Sequence, residues 1–394
     1  MNSSPLFPVQ TEKSSSKITP TRILRSAEAL RIAFVSDAVI GRNGVGTYYQ
    51  DLLQQIRPHV AEAQLYSPAT APDELEQFSI PLPGDKTQRL AWPDVGRLNS
   101  LLTSLNPNLI VLPSLGPYSF FGLRYARQTG TPIAIVNHTD FDKLLGLYWP
   151  KILSRPVQMA LHRLQRSLMR GADGVAAMSA EAINTAADLG AQFCRVVGTP
   201  LPSNFFTTQR TEVERRIRRV LFAGRFAKEK GIGTLLQSAA KLPDIEFTFA
   251  GDGPLRWQVT EAAKRLPNVR FIGWVDRVGI LGEIDRCQAL VLPSKFETFG
   301  TVALECLARR RFVLVSRDCG ISNWPSLKQG LFFVERDECL HKSLSRLHSQ
   351  SHESRLQVAA LAWKEVAKFH TSAIQSWLDF LCDTLARSNK DSGK

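Results

Sequence analysis

The chain has 394 residues, more than one typical hydrophobic core organises, so two domains are expected. Hydrophobic content of 44% and charged content of 22% are ordinary for a globular protein, and no apolar run reaches the length of a membrane span. The net charge of +13 predicts attraction to something acidic, such as a membrane, a nucleic acid or an anionic substrate.

Residues 1–28 are polar, rich in Ser, Thr and Pro, and lack the apolar segment of a signal peptide, which predicts a disordered tail. Basic residues in this stretch are also compatible with a transit peptide, but Glu12 and Glu28 argue against that alternative. The 6 cysteines form no Cys-x-x-Cys pair, so there is no zinc or redox motif. A reducing cytoplasm fits this cysteine usage.

From residue 29 onward, strand and helix patterns alternate. The run Arg31–Ser36 is continuously apolar in its centre, as buried parallel strands are. Further strands are predicted at Asn108–Leu112, Ile133–Asn137, Val175–Ser179 and Arg195–Val197. Helices are predicted at Thr47–Ile56, Asp94–Leu105, Phe120–Thr129, Lys151–Arg170 and Glu181–Leu189. This alternation predicts a parallel sheet with crossover helices.

The segment Thr199–Asn204 is turn-rich and indicates an interdomain linker, after which the pattern restarts. Strands are predicted at Arg219–Ala223, Glu246–Ala250, Arg270–Ile272, Ala289–Leu292, Phe312–Ser316 and Leu331–Val334. The expected domains are therefore residues 29–203 and 204–370. Residues 371–394 are expected to form a C-terminal helix and tail that cross back to the first domain.

The most informative stretch follows the predicted strand Ala289–Leu292. A loop leads to a helix that opens at Gly300 and Thr301, and the N–H groups of a helix start suit a phosphate. Glu297 lies in the loop and Glu305 lies more than a turn into the helix. Because carboxylates beside a phosphate would be repelled, we expect them to accept hydrogen bonds from a diol. Together these features indicate a site for a nucleotide sugar.

Glu297 and Glu305 with an internal Phe299-Gly300, after a strand that ends in Pro-Ser, resemble the Glu-x7-Glu signature of retaining GT-B glycosyltransferases of the group 1, family 4-like type. The resemblance implies that Glu297 holds the donor sugar and Glu305 the nucleotide ribose. It also implies that the backbone of Phe299, Gly300 and Thr301 holds sugar and phosphate. A bare pair of glutamates at this spacing would instead indicate a solvated helix surface.

The resemblance covers roughly residues 31–385 and implies an α/β fold of the GT-B class, with two Rossmann-like domains facing across a cleft. In that family the first domain generally handles the acceptor and the second binds the nucleotide sugar. No cofactor is implied beyond the nucleotide-diphosphate sugar, which is a co-substrate.

A basic loop follows the first strand of the second half. Its glycines, including Gly224, permit tight turns, and Arg225 and Lys230 can reach a diphosphate. The segment resembles the family's diphosphate-clamping loop, which makes Arg225 and Lys230 candidate catalytic residues. Glu229 in the same loop is expected to be solvated.

Three further segments match the family. Gly44 and Gly46, in the loop after the first strand, are candidates for close backbone approach to the donor; the alternative is a plain turn. Gly273 and Val275 match the segment that lines the nucleobase, with an ordinary strand and turn as the alternative. His138, in a His-Thr-Asp-Phe segment, is assigned a polar contact with sugar or acceptor.

The segment Gly251–Leu255 also fits the family, and its glycines are expected to shape a turn near the base. Asp140 and Asp142 have the spacing of a metal-binding Asp-x-Asp motif, but GT-B enzymes do not hold the donor through one. No metal is therefore expected.

The helix Lys151–Arg170 is basic and apolar at helical spacing. It fits either a helix lying on an anionic membrane or an ordinary packing helix with a solvated face. The expected location is the cytoplasm, with peripheral attachment to the cytoplasmic face of a membrane as the further alternative.

The chain departs from the family after Glu305. Arg310 replaces a glycine expected just past the helix end, where the left-handed conformation is common, and Phe312 replaces a proline. Cys319 and Asn323 replace the usual glycine and glutamate of a Gly-Gly-Ile-Pro-Glu segment. These changes could retune the donor or acceptor, or weaken activity.

The resulting hypothesis is a metal-independent hexosyltransferase that moves a sugar from a nucleotide-diphosphate sugar to a hydroxyl of a lipid or glycan, with retention. Its expected partners are the nucleotide sugar, that acceptor and an anionic membrane surface. The alternative is a catalytically weak GT-B protein that acts as a binding or scaffold module. A nucleic-acid-binding protein is suggested by charge alone and has no recognised module, so no nucleic-acid partner is expected.

Overall fold

A computed structural model gives the fold and describes residues 27–41, 44–69, 75–82, 85–113, 116–137, 151–207, 212–335 and 338–391. The tail expected over residues 1–28 lies outside them except for its last two residues. His138, Asp140 and Asp142 lie outside them as well.

The first half consists of eight described strands and five helices. The strands are β1 (Arg31–Val35), β2 (Glu62–Tyr66), β3 (Glu76–Leu82), β4 (Asp85–Pro93), β5 (Leu109–Leu112), β6 (Ile133–Asn137), β7 (Gly174–Ala177) and β8 (Cys194–Val196). The helices are α1 (Gly44–Ile56), α2 (Val95–Leu105), α3 (Pro117–Thr129), α4 (Lys151–Arg170) and α5 (Ala180–Asp188). Six strands form a parallel sheet in the order β2-β1-β5-β6-β7-β8, and β3 and β4 form a separate antiparallel hairpin.

The second half repeats the alternation. Its strands are β9 (Arg219–Ala223), β10 (Glu246–Ala250), β11 (Val269–Gly273), β12 (Ala289–Leu292), β13 (Phe312–Ser316) and β14 (Phe332–Val334). Its helices, from the linker onward, are α6 (Asn204–Thr207), α7 (Ile232–Lys241), α8 (Arg256–Arg265), α9 (Arg277–Arg286), α10 (Thr301–Ala308), α11 (Pro325–Lys328), α12 (Leu340–Ser349), α13 (His352–Trp363) and α14 (Val366–Asp391). The strands form a second parallel sheet in the order β11-β10-β9-β12-β13-β14. Two Rossmann-like domains, as expected for the GT-B class, are therefore present.

The predicted strands of the second half were confirmed to within a residue at each end. Strands β9, β10, β12 and β13 are short and largely buried, whereas β11 and β14 are mostly half-buried. The first half contains three strands that the sequence did not predict: β2, β3 and β4. β2 is an edge strand of its sheet, and it is mostly half-buried with polar residues, unlike the continuously buried apolar inner strands. The hairpin carries Pro81 and charged residues, which mask its strand pattern.

The last helix, α14, contacts both halves. Near its start, the Phe369 ring stacks on Phe299, with ring centroids 5.9 Å apart. Further along, Trp377 is fully buried, and its indole N–H donates to the hydroxyl of Tyr48 on α1 at 2.8 Å. The helix therefore begins against the segment that follows β12 and continues into the core of the first half.

In the second sheet, the strand order reverses direction between β9 and β12. The connection after β9 runs to the β10 side, and the connection after β12 runs to the β13 side. The loops at the carboxyl ends of these two neighbouring strands therefore flank a crevice, which is where open parallel sheets bind ligands. These loops are the two segments that carry Arg225, Lys230 and Glu297.

Candidate active site

The loop after β12 is shaped by Gly300, which takes the left-handed conformation (φ 85°) and serves as the N-cap of α10. Phe299 beside it is 4% exposed and packs against Trp324 and Phe369, so its side chain anchors the loop. The first four N–H groups of an α-helix have no partner within that helix. Anchored in this way, the backbone of Phe299, Gly300 and Thr301 lies at a helix start suited to an anion.

Glu297 is held by Lys230 from the neighbouring loop. Lys230 Nζ lies 2.5 Å from Glu297 Oε2, and the two side chains are 17% and 21% exposed. Lys230 ends a 3-10 turn (Lys228–Lys230) that follows β9, and Gly231 (φ 71°) then starts α7. The structure thus brings together the predicted lysine and the predicted sugar-binding glutamate, which are 67 residues apart.

Arg225 lies on the same loop, and its guanidinium is 3.5 Å from the carboxylate of Glu229. The expectation that Glu229 is solvated was wrong, because Glu229 is only 3% exposed. Glu229 is the buried residue of a 3-10 turn whose first residue, Lys228, is exposed, and its carbonyl accepts the backbone N–H of Lys295. Glu229 therefore lies where it can orient Arg225 rather than in water.

Glu305 is buried more deeply than Glu297, with a side chain that is 3% exposed. Its Oε1 accepts a hydrogen bond of 2.5 Å from the guanidinium of Arg277, the first residue of α9. The same guanidinium donates to Asp51 on α1, so one arginine joins two carboxylates from opposite domains. Although burial lowers the pKa of Arg277, Glu305 and Asp51 raise it above its ordinary value. Burial raises the pKa of Asp51 to about 7 and outweighs the opposing attraction of Arg277.

Three glycine-containing loops stack at the carboxyl ends of β9, β10 and β11. Gly251 and Gly253 have positive φ, and a Cβ on Gly251 would collide with the backbone carbonyl of Gly224. The N–H of Gly251 donates to the carbonyl of Gly273 at 2.7 Å. The glycines therefore allow the loop after β10 to lie directly on the loop after β9.

Gly273 has φ 71°, and a Cβ built on it would meet nothing within 4 Å. Val275 packs on the core of the second domain, while Trp274 between them is 44% exposed. The predicted base-lining segment is thus an open turn at the same sheet edge as Gly224.

The first glycine-rich segment differs from the expectation. Gly44 and Gly46 were placed in a loop before a helix at Thr47, but α1 begins at Gly44. Because glycine is a weak helix former, the sequence pattern put the helix start too late. Both glycines belong to the first turn, where backbone N–H groups have no helical acceptor.

The departures after Glu305 have structural explanations. Arg310 adopts the left-handed conformation (φ 59°) expected of the glycine that it replaces. Arg309 and Arg311 are at most 1% exposed, and both contact Asp285, with Arg309 Nη2 at 2.6 Å. This arginine run fastens the end of α10 to α9.

Cys319 and the residues after it pack directly against the glutamate loop. The N–H of Gly320 donates to the Glu297 carbonyl at 2.9 Å, and a Cβ on Gly320 would collide with the carbonyl of Thr298. Burial raises the pKa of the Cys319 thiol beyond its usual range, so it acts as a small apolar residue. The substituted segment therefore supports the glutamate loop.

Sequence reasoning missed Arg277 and Asp51. Arg277 comes two residues after the predicted base-lining Val275, so its position near the nucleotide site was readable from the sequence. Asp51 gave no such signal, because it looks like one polar residue on an amphipathic helix. Across the described ranges, which omit residues 138–150, His, Cys, Asp and Glu side chains form no group of three that could hold a metal ion. The absence of a metal from the reaction stays a prediction.

The two parallel sheets, with loops meeting at a crevice, have the arrangement of the GT-B fold, and comparison with known proteins agrees. Residues 42–202 match the family described as Glycosyltransferase Family 4, and residues 217–350 match the one described as Glycosyl transferases group 1. Each half of the chain therefore matches a glycosyltransferase family, and the fold is that of the GT-B glycosyltransferases.

Individual relatives are distant. The sulfoquinovosyl transferase of Arabidopsis thaliana is 26% identical over 309 residues, which are 74% of this chain and 59% of that protein. A mycobacterial protein, the GDP-mannose-dependent alpha-(1-6)-phosphatidylinositol dimannoside mannosyltransferase of Mycobacterium tuberculosis, is 23% identical over 67% of this chain and 71% of its own. The structure of a trehalose-6-phosphate synthase aligns with 90% of this chain and 99% of its own chain, with a TM-score of 0.66 at 13% identity, which shows the shared fold.

Among the helices described, none is both long and apolar enough to cross a membrane.

Proposed function

We propose that the protein transfers a sugar from a nucleotide-diphosphate sugar to a hydroxyl group of a lipid or glycan, with retention and without a metal ion. The observation that carries the proposal is the meeting of Lys230 and Glu297 in the crevice between β9 and β12, beside the start of α10. A cation, a carboxylate and a helix N-terminus in one crevice match a ligand that carries both phosphate and hydroxyl groups.

In this proposal the basic residues act on the diphosphate and the glutamates act on hydroxyl groups. Lys230, Arg225 and the start of α10 stabilise the negative charge that grows on the departing diphosphate, since such preorganised electrostatics is usually the largest catalytic contribution. The bond between the anomeric carbon and the diphosphate oxygen breaks as the acceptor oxygen bonds to the same face. The acceptor proton passes to the departing phosphate oxygen, so no protein nucleophile is needed. Glu297 orients the sugar, and Glu305 accepts hydrogen bonds from the ribose.

A thermal-shift screen with UDP-, GDP- and ADP-sugars tests donor binding, because a ligand that binds only the folded state raises the melting temperature. We expect one nucleotide series to raise it and the Lys230→Ala variant to show a smaller shift. Transfer of labelled sugar to extracted lipids or glycans then separates catalysis from binding alone. If no nucleotide sugar shifts the melting temperature at millimolar concentration, the proposed donor class is wrong.

Chelation tests the metal-free mechanism. Activity should persist in excess EDTA, because the charges of Lys230, Arg225 and the helix start replace a cation at the diphosphate. Strict dependence on added magnesium or manganese would contradict this mechanism and would bring Asp140 and Asp142 back into consideration.

The acceptor is proposed to be lipid-linked, with the enzyme attached to an anionic membrane through α4. Met159 and Leu164 on this helix are 60% and 48% exposed, and Arg163 and Arg166 beside them are exposed as well. Exposed apolar side chains among basic ones suit the membrane interface. One relative, the mycobacterial mannosyltransferase, is named for phosphatidylinositol dimannoside, a lipid.

Liposome sedimentation tests the attachment. Binding should require anionic lipid, fall as salt rises and weaken when Arg163 and Arg166 are changed to glutamate, since each basic residue near the surface contributes about 1 kcal/mol. Lys264 and Arg265 on α8 are 71% and 79% exposed, and their change to glutamate is the matched control. An equal loss of liposome binding in the α4 variant and the α8 variant would show that net charge, rather than α4, governs binding.

A further inference from the structure

Arg277 contacts both domains at the carboxylate proposed to bind the ribose. We propose that Arg277 is a positioning residue for nucleotide binding: it pairs with the Glu305 carboxylate and aims it, while Asp51 of the opposite domain holds Arg277 in place. The inference rests on the proposed function, because it takes Glu305 as the group that binds the ribose.

The burial of Glu305 makes a counter-ion necessary. The Glu305 side chain is 3% exposed, and burying a charged group costs free energy unless an opposite charge pairs with it. Within the described part of the chain, Arg277 is the basic residue that forms an ion pair with Glu305. An ionised carboxylate accepts hydrogen bonds about twice as strong as a neutral group does. Arg277 therefore sets how strongly Glu305 can bind a diol.

The ion pair does not use every acceptor position of the Glu305 carboxylate. Arg277 binds one carboxylate oxygen, Oε1 of Glu305, and a carboxylate has about four acceptor positions. The Nε–H donor of the guanidinium is buried and has no acceptor among the described residues. The pair thus retains acceptor positions on Glu305 for hydroxyl groups of a bound nucleotide.

Two further contacts fix the guanidinium. Asp51 accepts from its Nη2, and the Phe205 ring lies beneath it, with Cζ 5.1 Å from the ring centroid. Asp51 belongs to α1 of the first domain, whereas Arg277 and Glu305 belong to the second, and Phe205 lies in the linker helix α6. A planar fork that bonds two carboxylates at once is a role that lysine cannot reproduce. Binding of ribose at Glu305 is therefore tied to the placement of the first domain.

The test compares two ligands: the nucleoside diphosphate preferred by the wild-type protein and its 2′,3′-dideoxy analogue, which lacks the diol. Calorimetric titration at mildly alkaline pH gives the affinity of each. We expect Arg277→Ala to lower affinity for the ribose form on the order of tenfold and to leave the dideoxy form nearly unchanged. Arg277→Lys should recover part of the preference for the ribose form over the dideoxy form. Asp51→Asn should reduce that preference by roughly two- to threefold.

The control is Arg286→Ala, which removes another ion-paired arginine from α9 at the end away from Glu305. It should leave both affinities unchanged. Equal weakening of both ligands by Arg277→Ala and Arg277→Lys would overturn the positioning role, and a full preference in Asp51→Asn would overturn the part played by the first domain. Failure of the wild-type protein to bind any nucleoside diphosphate would overturn the proposed function as well, so the two failures are distinguishable.

Discussion

The two glutamates of the α10 segment are held by different kinds of ion pair. The pair of Glu297 with Lys230 lies within the second domain, and its side chains are about one-fifth exposed. The pair of Glu305 with Arg277 is more deeply buried on the carboxylate side and extends to Asp51 in the first domain. The first is therefore open to a ligand, whereas the second is part of the contact between domains.

The difference has an energetic meaning. A solvent-exposed pair contributes about 0–1 kcal/mol, and the carboxylate of the Lys230–Glu297 pair, at 21% exposed, is nearer to that limit than the 3% exposed carboxylate of Glu305. A buried pair that loses one partner leaves an uncompensated charge, which costs about 3–5 kcal/mol. Lys230 is thus free to move toward a diphosphate, while Arg277 stays with its carboxylates. The following four predictions test this contrast, in order of decreasing effect.

The largest effect is expected for the pair of Lys230 with Glu297. Lys230→Ala should lower the transfer rate by about 10²–10³-fold, the usual result of removing one preorganised group that stabilises developing charge. Arg225→Ala should also lower the rate, and Arg225→Lys should restore it incompletely, because lysine lacks the planar fork. Initial-rate measurements with saturating donor provide the check. Full activity in both alanine variants would make the loop structural only.

A smaller effect, seen in binding, is expected for the buried pair. Glu305→Gln should weaken nucleotide affinity by about 1.5–3 kcal/mol, the value of a hydrogen bond to a charged group. The fold should persist, since Arg277 keeps its bond to Asp51 in this variant. Calorimetric titration with a nucleoside diphosphate measures the loss, and circular dichroism verifies the fold. Unchanged affinity in a folded variant would remove Glu305 from the site.

The pH dependence of stability should report the Asp51 carboxyl. Its pKa is raised to about 7 in the folded protein, so the folded state holds the proton more tightly than the unfolded state does. The free energy of unfolding should therefore fall as pH rises from about 4 to about 7, and Asp51→Asn should lessen that fall by about 1–4 kcal/mol. Melting temperatures of both proteins across this window give the comparison. Parallel curves would show that Asp51 has its ordinary pKa.

The smallest effect is expected at the end of the helix that carries Glu305. Arg310→Gly should raise the free energy of unfolding by about 1 kcal/mol or less, because a non-glycine residue at φ 59° is strained. Denaturant unfolding measures the gain, and nucleotide affinity should not change. If Arg310→Gly changed nucleotide affinity, then a change in overall stability is enough to alter binding. Part of the effects expected for the ion-pair variants would then be due to stability and not to the ion pairs.

Much of the fold was readable from the sequence because it depends on local patterns. Buried parallel strands are short continuous apolar runs, and those of the second domain were predicted to within a residue at each end. The left-handed position of Arg310 followed from its place just past a helix end. β2 and the hairpin β3–β4 were missed, since they are less buried and their residues alternate or include proline.

Local sequence patterns specify the two α/β halves, the strand–loop–helix segment and the spacing of its two glutamates. These features depend on residues close together in the chain, where side-chain period and turn chemistry act directly. Tertiary structure alone decided which cation each glutamate meets. Lys230 reaches Glu297 because β9 and β12 are neighbours in the sheet, and Arg277 reaches Asp51, 226 residues away, because the two domains pack together. Such pairings follow from strand order and domain contact, which no local pattern encodes.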